Sequence, residues 1–369
     1  MRVTGRSASL AACLAAAALA ATGCTALKSE EWDVAVSVGE LPPAPFGTRV
    51  DHSFVWTGAE LFVWGGSSDG PHADGAAYSP DTDSWRVIAD ADLEARAQHT
   101  TAVLGDQRVL VWGGVTDTFS GDEDGRMARD GAIYDPGADS WEPIADAPEA
   151  RDLAPVTVAG DHVVFGGGGY EGDLLVYSLQ DDTWNSVPVT GAGERFRMFD
   201  LVAVDDEVVL AGASSDRMFT GRFRVGDTSA PMAEFVDVED PYGAYLGLAA
   251  LPGDGALLAV DEGRDGHLYE LDGPGQAATV HDAGAFQPPV YPVSYPLLSG
   301  EMAFVEGLGV LSTNAGEFSV WDADTGLTHW SGHEALDGYC GPVEPVGAEV
   351  LIGWGGRCET GGVRIDLRA

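Results

Sequence analysis

Lysine is almost missing from this chain. Lys28 is the only one in 369 residues, and Lys and Arg together number 19 against 59 Asp and Glu, a formal net charge of −40. Phosphate contacts on nucleic acids are made largely by Lys and Arg, so this balance excludes unaided nucleic-acid binding. Past residue 21 there is no run long and apolar enough to span a bilayer, which takes about 20 residues. Three catalytic signatures are missing as well: there is no Gly-x-Ser-x-Gly elbow, no Gly-rich phosphate loop and no His-Glu-x-x-His. Two carboxylates could hydrolyse a glycoside, but 59 acidic residues offer no way to single out a pair. What the chain does have is 45% hydrophobic residues, 50 Gly and 20 Pro. That is enough apolar material for a sizeable core, with too many turn formers for a mainly helical protein.

The N-terminus reads as a processing segment. Arg2 and Arg6 form a positive start, and the apolar run from Leu10 to Ala21 is short for a membrane span. The run ends in Ala21-Thr22-Gly23-Cys24, which resembles the lipobox of bacterial lipoproteins, although that family prefers Leu where Ala21 stands. The resemblance implies cleavage before Cys24 and lipidation of its thiol. Two or three acyl chains would hold the protein on the outer face of the cytoplasmic membrane. An ordinary secretory signal followed by a chance cysteine is the other reading. The expected organisation is therefore a signal peptide over 1–23, a lipidated Cys and tether over 24–31, and one domain over 32–369. The mature chain loses Arg2 and Arg6, so its charge moves from −40 to −42. Such acidity aids solubility and repels anionic lipid, leaving the acyl chains as the membrane contact. Of the four cysteines, Cys13 leaves with the signal. Cys340 and Cys358 are a candidate disulfide in an oxidising compartment. A two-cysteine metal site is the alternative, and it lacks further ligands at suitable spacing.

Internal repetition is the decisive feature. One segment runs Arg49, His52, Leu61-Phe62-Val63-Trp64-Gly65-Gly66, Asp74, Tyr78, Trp85. A second runs Arg96, His99, Val109-Leu110-Val111-Trp112-Gly113-Gly114, Asp130, Tyr134, Trp141. A third runs Arg151, Val163-Val164-Phe165-Gly166-Gly167, Asp173, Tyr177, Trp184. The Tyr-to-Trp spacing is seven in each, and an Asp stands four residues before each Tyr. Weaker copies start at Val208, Ala256 and Gly309, where Asp265/Tyr269 and Glu317/Trp321 keep the offset of four. Val350-Leu351-Ile352-Gly353-Trp354-Gly355-Gly356 restores the pattern. A step of about 48 residues places seven first strands near residues 52, 98, 153, 198, 244, 291 and 338. Apolar alternation with turn signals every 8–12 residues predicts short antiparallel strands.

This apolar strand, Gly-Gly pair, Tyr-Asp-Pro-like turn (Tyr134-Asp135-Pro136) and Trp resemble the kelch repeat. The resemblance implies an all-β fold, a seven-bladed kelch-type β-propeller of the galactose-oxidase-like class, with six or eight blades also compatible with the worn repeats. Radial packing covers both faces of each sheet and leaves no long open edge. The last repeat ends without a Trp, and Trp32-Asp33-Val34-Ala35-Val36 resembles Trp85-Arg86-Val87-Ile88. The N-terminal strand is therefore expected to complete the last blade and close the ring.

In such a propeller the loop entering each first strand and the loop joining strands two and three share one face. The first kind carries Arg49/His52, Arg96/His99, Arg151 and Arg195/Arg197. The second carries an insertion in the second repeat, Asp117 to Arg129. The candidate ligand-binding residues at this axial mouth are Arg49, His52, Arg96, His99, Arg151 and Arg195. They form either an anion-binding ring or hydrogen-bonding ties between loops, as they do in kelch repeats without catalysis. No cofactor is expected. Asp122-Glu123-Asp124-Gly125 offers Asp122 and Asp124 as weak Ca²⁺ ligands, against which Ser120 and Gly131 occupy the first and closing positions of the loop count. His329 and His333 flank a loop and read as surface residues. Cys340 and Cys358 look committed to each other, unlike the Cys–Tyr crosslink of the copper oxidases of this architecture.

Two functions follow. The first is a monomeric, lipid-anchored binding module for a protein or glycan at the mouth. The second is a carbohydrate-active enzyme, such as a sugar mutarotase, epimerase, lyase or hydrolase, with Arg49, Arg96, Arg151 and Arg195 converging on one pocket. For the second, kelch-like sugar mutarotases supply a precedent by resemblance alone.

Overall fold

The computed structural model describes residues 30–31, 35–116, 127–167, 173–192, 196–205, 207–214, 217–226, 231, 234–236, 245–253, 255–261, 266–271, 279–282, 302–305, 309–314, 317–321, 328–332, 341–347, 349–356 and 361–368. Among them there is no helix, and strands group into seven sheets, antiparallel except that Glu30–Glu31 pairs parallel with His329 and Trp330 at the edge of one of them. Blade 1 is Ser53–Trp56, Leu61–Trp64, Gly75–Ser79 and Ser84–Val87; blade 2 is Thr100–Val103, Val109–Trp112, Gly131–Asp135 and Ser140–Pro143. Blade 3 is Val156–Ala159, His162–Phe165, Asp173–Ser178 and Thr183–Pro188, and blade 4 is Phe196–Val204, Glu207–Ser214, Met218–Arg224 and Glu234–Val236. Blade 5 is Tyr245–Ala250, Ala256–Asp261, Gly266–Leu271 and Thr279–Asp282; blade 6 is Met302–Val305, Gly309–Asn314, Glu317–Trp321 and Thr328–Gly332. Blade 7 has Val343–Pro345, Val350–Gly353 and Val363–Arg368, with Ala35–Glu40 as its outer strand.

The second strands explain why a sheet this small is stable. Leu61, Phe62, Val63 and Trp64 are all buried, and successive residues point to opposite faces. Leu61 and Val63 pack with Ile352 and Trp354 of blade 7. Phe62 and Trp64 pack with Val109, Val111 and Tyr134 of blade 2. The same alternation yields one apolar cluster at each of the seven seams. First strands of adjacent blades touch from blade 1 through blade 6, and the first strand of blade 7 touches that of blade 1. The ring is therefore a seven-bladed propeller.

Closure comes from the N-terminal strand, in a frame other than the expected one. Ala35–Glu40 pairs antiparallel with Val363–Arg368, from Ala35 opposite Arg368 to Glu40 opposite Val363. Leu41 N–H donates to Gly362 O as Ile88 N–H does to Gly75 O and Ile144 N–H to Gly131 O. Counting back three residues puts Val38, not Trp32, in the slot of Trp85 and Trp141. Trp32 to Val34 lie outside the described residues. The expected match followed the Trp, whereas the chain follows the Gly362 anchor and fills the seam with Val38 beside Ile365. The sixth first strand begins at Met302, not near residue 291; uniform spacing fails where the repeats have worn.

Candidate functional site

The seams around blades 1 to 3 are tied by one motif on the face of the mouth. The Arg49 guanidinium donates to Gly65 O (2.9 Å) and to the Asp74 carboxylate (2.9 Å). Arg96 donates to Gly113 O (3.2 Å) and Asp130 (3.1 Å). Arg151 donates to Gly166 O (2.8 Å), to Asp173 O (2.9 Å) and to the Glu149 carboxylate. All three are buried, Arg96 to 1% exposure. A planar fork with five donors suits this work, because it bonds a carbonyl and a carboxylate together. Each Arg carbonyl then accepts from the second Gly of the preceding blade: Gly356 N–H to Arg49 O (3.0 Å), Gly66 N–H to Arg96 O (2.9 Å), Gly114 N–H to Arg151 O (2.8 Å). The Gly-Gly pair is required by φ of +65° and +87° at Gly65 and Gly66. A Cβ on Gly65 would lie 2.7 Å from His99 Cε1 and 3.0 Å from Arg96 O.

His52 and His99 fill equivalent seats. His52 meets Trp354 edge-on at 5.2 Å and His99 meets Trp64 at 5.1 Å. His99 Nε2 lies 2.7 Å from Ser53 Oγ, which is 2.6 Å from Thr101 Oγ1. Although His52 keeps part of its surface exposed, both its ring nitrogens are dry, as is His99 Nδ1, and none of the three has a hydrogen-bond partner. Burial, and then the charge of Arg49, push His52 down to about 3, with the backbone of Trp354 and Arg49 offsetting only part. Burial, and then the charges of Arg96 and His52, push His99 down to about 3. These imidazoles are neutral wedges between blades at physiological pH. Burial pushes the Asp74 carboxyl up, but the hydrogen bond and charge of Arg49 outweigh it and leave it below its ordinary value.

Three residues between these Arg and the first strands complete the mouth. Asp51, Gln98 and Leu153 stand two residues after Arg49, Arg96 and Arg151, at φ of +58°, +60° and +49°. Gln98 N–H donates to Asp51 O (3.0 Å) and Leu153 N–H to Gln98 O (2.9 Å), so the three form a continuous arc across blades 1 to 3. All three are partly exposed. Deeper in, polar groups join the first strands. Asp200 accepts from Leu248 N–H (2.8 Å), Thr157 from Ala203 N–H (2.9 Å) and Glu344 from Trp56 N–H (3.1 Å).

The opposite edge has its own tie. Tyr78, Tyr134 and Tyr177 each donate to the Asp five residues on, Asp83 (2.8 Å), Asp139 (2.5 Å) and Asp182 (2.8 Å). Trp85, Trp141 and Trp184 donate to Pro42 O, Ala89 O and Ala145 O in the preceding blade. Beside blade 2 an open cleft of about 450 Å³ is lined by Glu94, Thr116, Met127, Arg129, Asp130 and Asp146, with buried Arg96 at its floor.

The structure thus brings five of the expected mouth residues together, and bonds Arg49, Arg96 and Arg151 inward. Arg195, Asp122, Asp124, Cys24, Cys340 and Cys358 lie outside the described residues. Among the described residues no three His, Cys, Asp or Glu side chains group as metal ligands, and no helix is long and apolar enough to cross a membrane. Sequence reading missed Asp51, Gln98 and Leu153, whose chemistry differs at each copy. It also missed Asp83, Asp139 and Asp182, whose fixed offset of five from the Tyr is visible in the sequence.

Residues 18–213 match the family described as the KLHDC2/KLHL20/DRC7 Kelch-repeats domain. Among solved structures, the chain titled "Structure of YjhT" is similar at a TM-score of 0.52 and 13% identity, over 79% of this chain and 99% of that one; at such identity the likeness concerns the fold. No curated protein matches the chain.

Proposed function

The chain belongs to the kelch-repeat family, and on that premise we propose that it is a binding module whose ligand meets the axial mouth, carried at the outer face of the bacterial cytoplasmic membrane by lipid on Cys24. The observation that supports binding is the inward bonding of Arg49, Arg96 and Arg151. A sugar-converting site built from these side chains needs their donors in a pocket, and here they hold carbonyls and carboxylates of the protein. Beside these Arg, Asp51, Gln98 and Leu153 are partly exposed and place an acid, an amide and an apolar side chain along the mouth.

The anchor rests on Ala21-Thr22-Gly23-Cys24 and the apolar run before it. Growth with an alkyne fatty acid tests it: the parent chain takes up label and pellets with membranes, and C24A does neither. Label that persists in C24A would overturn the anchor. For binding, purified residues 25–369 are screened in parallel against a displayed peptide library and a glycan array. Retention of either supports a binding module. A measured sugar turnover with no retention of either contradicts it.

A further inference from the structure

The chain enters the ring from behind. In each blade the first strand leaves the mouth and the fourth returns to it. The turns joining strands one to two and three to four therefore lie on the back face, opposite the mouth. Arg368 ends the third strand of blade 7 at the back, and Ala35 stands opposite it, while Glu40 stands opposite Val363 at the mouth end. Before that, Glu30 and Glu31 pair parallel with His329 and Trp330 on the outer strand of blade 6, Thr328–Gly332. That strand runs from back to mouth, so at Glu30 too the chain arrives from the back. Two separate pairings, on neighbouring blades, put its entry at the outer rim of the back face.

We propose that the back face beside blades 6 and 7 lies toward the lipid surface, and that the mouth opens away from the membrane. This rests on the lipid-anchor reading above, and it fixes the side from which a partner arrives. Cys24 stands six residues before Glu30, a reach of at most about 20 Å when fully extended. The mouth end of blade 7 stands above its back end by the length of the six-residue strand Ala35–Glu40, again about 20 Å. A mouth-down pose would need the chain to reverse at Glu30 and use its whole reach to climb the rim, with nothing left to clear the loops of the mouth. The back turns have no attraction of their own for anionic lipid, since they expose Asp81, Asp139, Asp161, Asp181 and Glu349. The short tether sets the pose. In it lipid head groups lie beyond the reach of the mouth, and the partner is one that approaches from the aqueous side.

The test uses the full lipidated chain, purified from membranes of the producing cells and reconstituted into vesicles of phosphatidylcholine and phosphatidylglycerol. A nitroxide on the lipid head group is the probe. A fluorescent amino acid is placed at position 349, in the back turn of blade 7, or at position 361, in the mouth loop of the same blade. Glu349 and Gly361 are both exposed, and nothing lies within 4 Å of a Cβ at Gly361. Quenching at 349 should exceed that at 361 at least threefold. Equal quenching, or more at 361, would overturn the pose while leaving the anchor in place. Inserting twelve Gly and Ser residues after Lys28 raises the extended reach to about 60 Å and should remove the difference. A difference that survives the insertion would overturn the tether as its cause. C24A tests the anchor separately: it should leave the vesicles, and both reporters should lose their quenching. C24A that stays on the vesicles with its quenching intact would overturn the anchor and the pose argued from it.

Discussion

The backbone N–H of Gly356 donates to the carbonyl of Arg49 at 3.0 Å, across the seam between the last blade and the first. The same bond joins Gly66 to Arg96 and Gly114 to Arg151. On the other edge Trp85 holds Pro42 as Trp141 holds Ala89. The seam between blades 7 and 1, which the chain crosses from Glu40 to Ser53, is thus built like the others, and the two ends of the chain meet inside blade 7, where Ala35–Glu40 pairs with Val363–Arg368.

Deleting residues 35–40 should therefore open the ring. The deletion removes the six pairings to Val363–Arg368 and exposes an unpaired edge. Differential scanning calorimetry should register a melting temperature lower by roughly 10 °C or more. An unchanged value would mean that the other three strands of blade 7 hold the ring alone.

Arg96→Ala should destabilise the fold by about 2–3 kcal/mol, because it strands the carbonyl of Gly113 and leaves a void at a 1% exposed position. Asp130 is 44% exposed and can turn to water, which limits the loss. Arg96→Lys restores charge without the fork and should recover less than half. Urea titration of the two variants checks both numbers.

Gly65→Ala should cost roughly 2–4 kcal/mol, from its φ of +65° and the 2.7 Å approach to His99. Gly160 also has positive φ, +58°, with nothing within 4 Å of a Cβ. Gly160→Ala should cost only about 1 kcal/mol. Equal losses in chemical denaturation would contradict the close packing assigned to the Gly-Gly pair.

Acid should loosen the seams at His52 and His99. Each has a folded-state value of about 3 against an ordinary 6.5, so between these values the unfolded chain binds more protons. Their contribution is complete above pH 6.5 and is lost as pH falls toward 3, by up to about 1.4 kcal/mol per pH unit for each histidine. His52→Phe keeps the aromatic packing against Trp354 and removes the titration. Its melting temperature should fall less than the parent's between pH 6.5 and 4; parallel curves would contradict this.

Much of this was legible in the sequence, because packing repeats leave repeated letters. The second strands and the Tyr–Trp spacing of seven mark contacts at the seams, and the Arg–Gly-Gly–Asp set marks a tie within a blade whose Arg carbonyl is then bonded across the seam. The closing strand was legible as an element but not in register, because Val38 rather than a Trp fills the slot. Blade 6 was misplaced because its first strand, at Met302, follows a longer connection than the period allows. The arc was invisible for a different reason. A left-handed φ leaves a letter when glycine adopts it, and Asp51, Gln98 and Leu153 leave none in common.

The central claim is that partners meet the mouth. Blade 2 carries a test of it in two glutamines on opposite faces, both left-handed: Gln98 at the mouth with φ +60°, and Gln107 in the turn between the first and second strands with φ +71°. A photo-crosslinking amino acid is placed at one or the other in the producing cells, and adducts are read by mass spectrometry. The account predicts protein adducts from position 98 and none from position 107. Adducts from position 107 alone, or from neither, would contradict it.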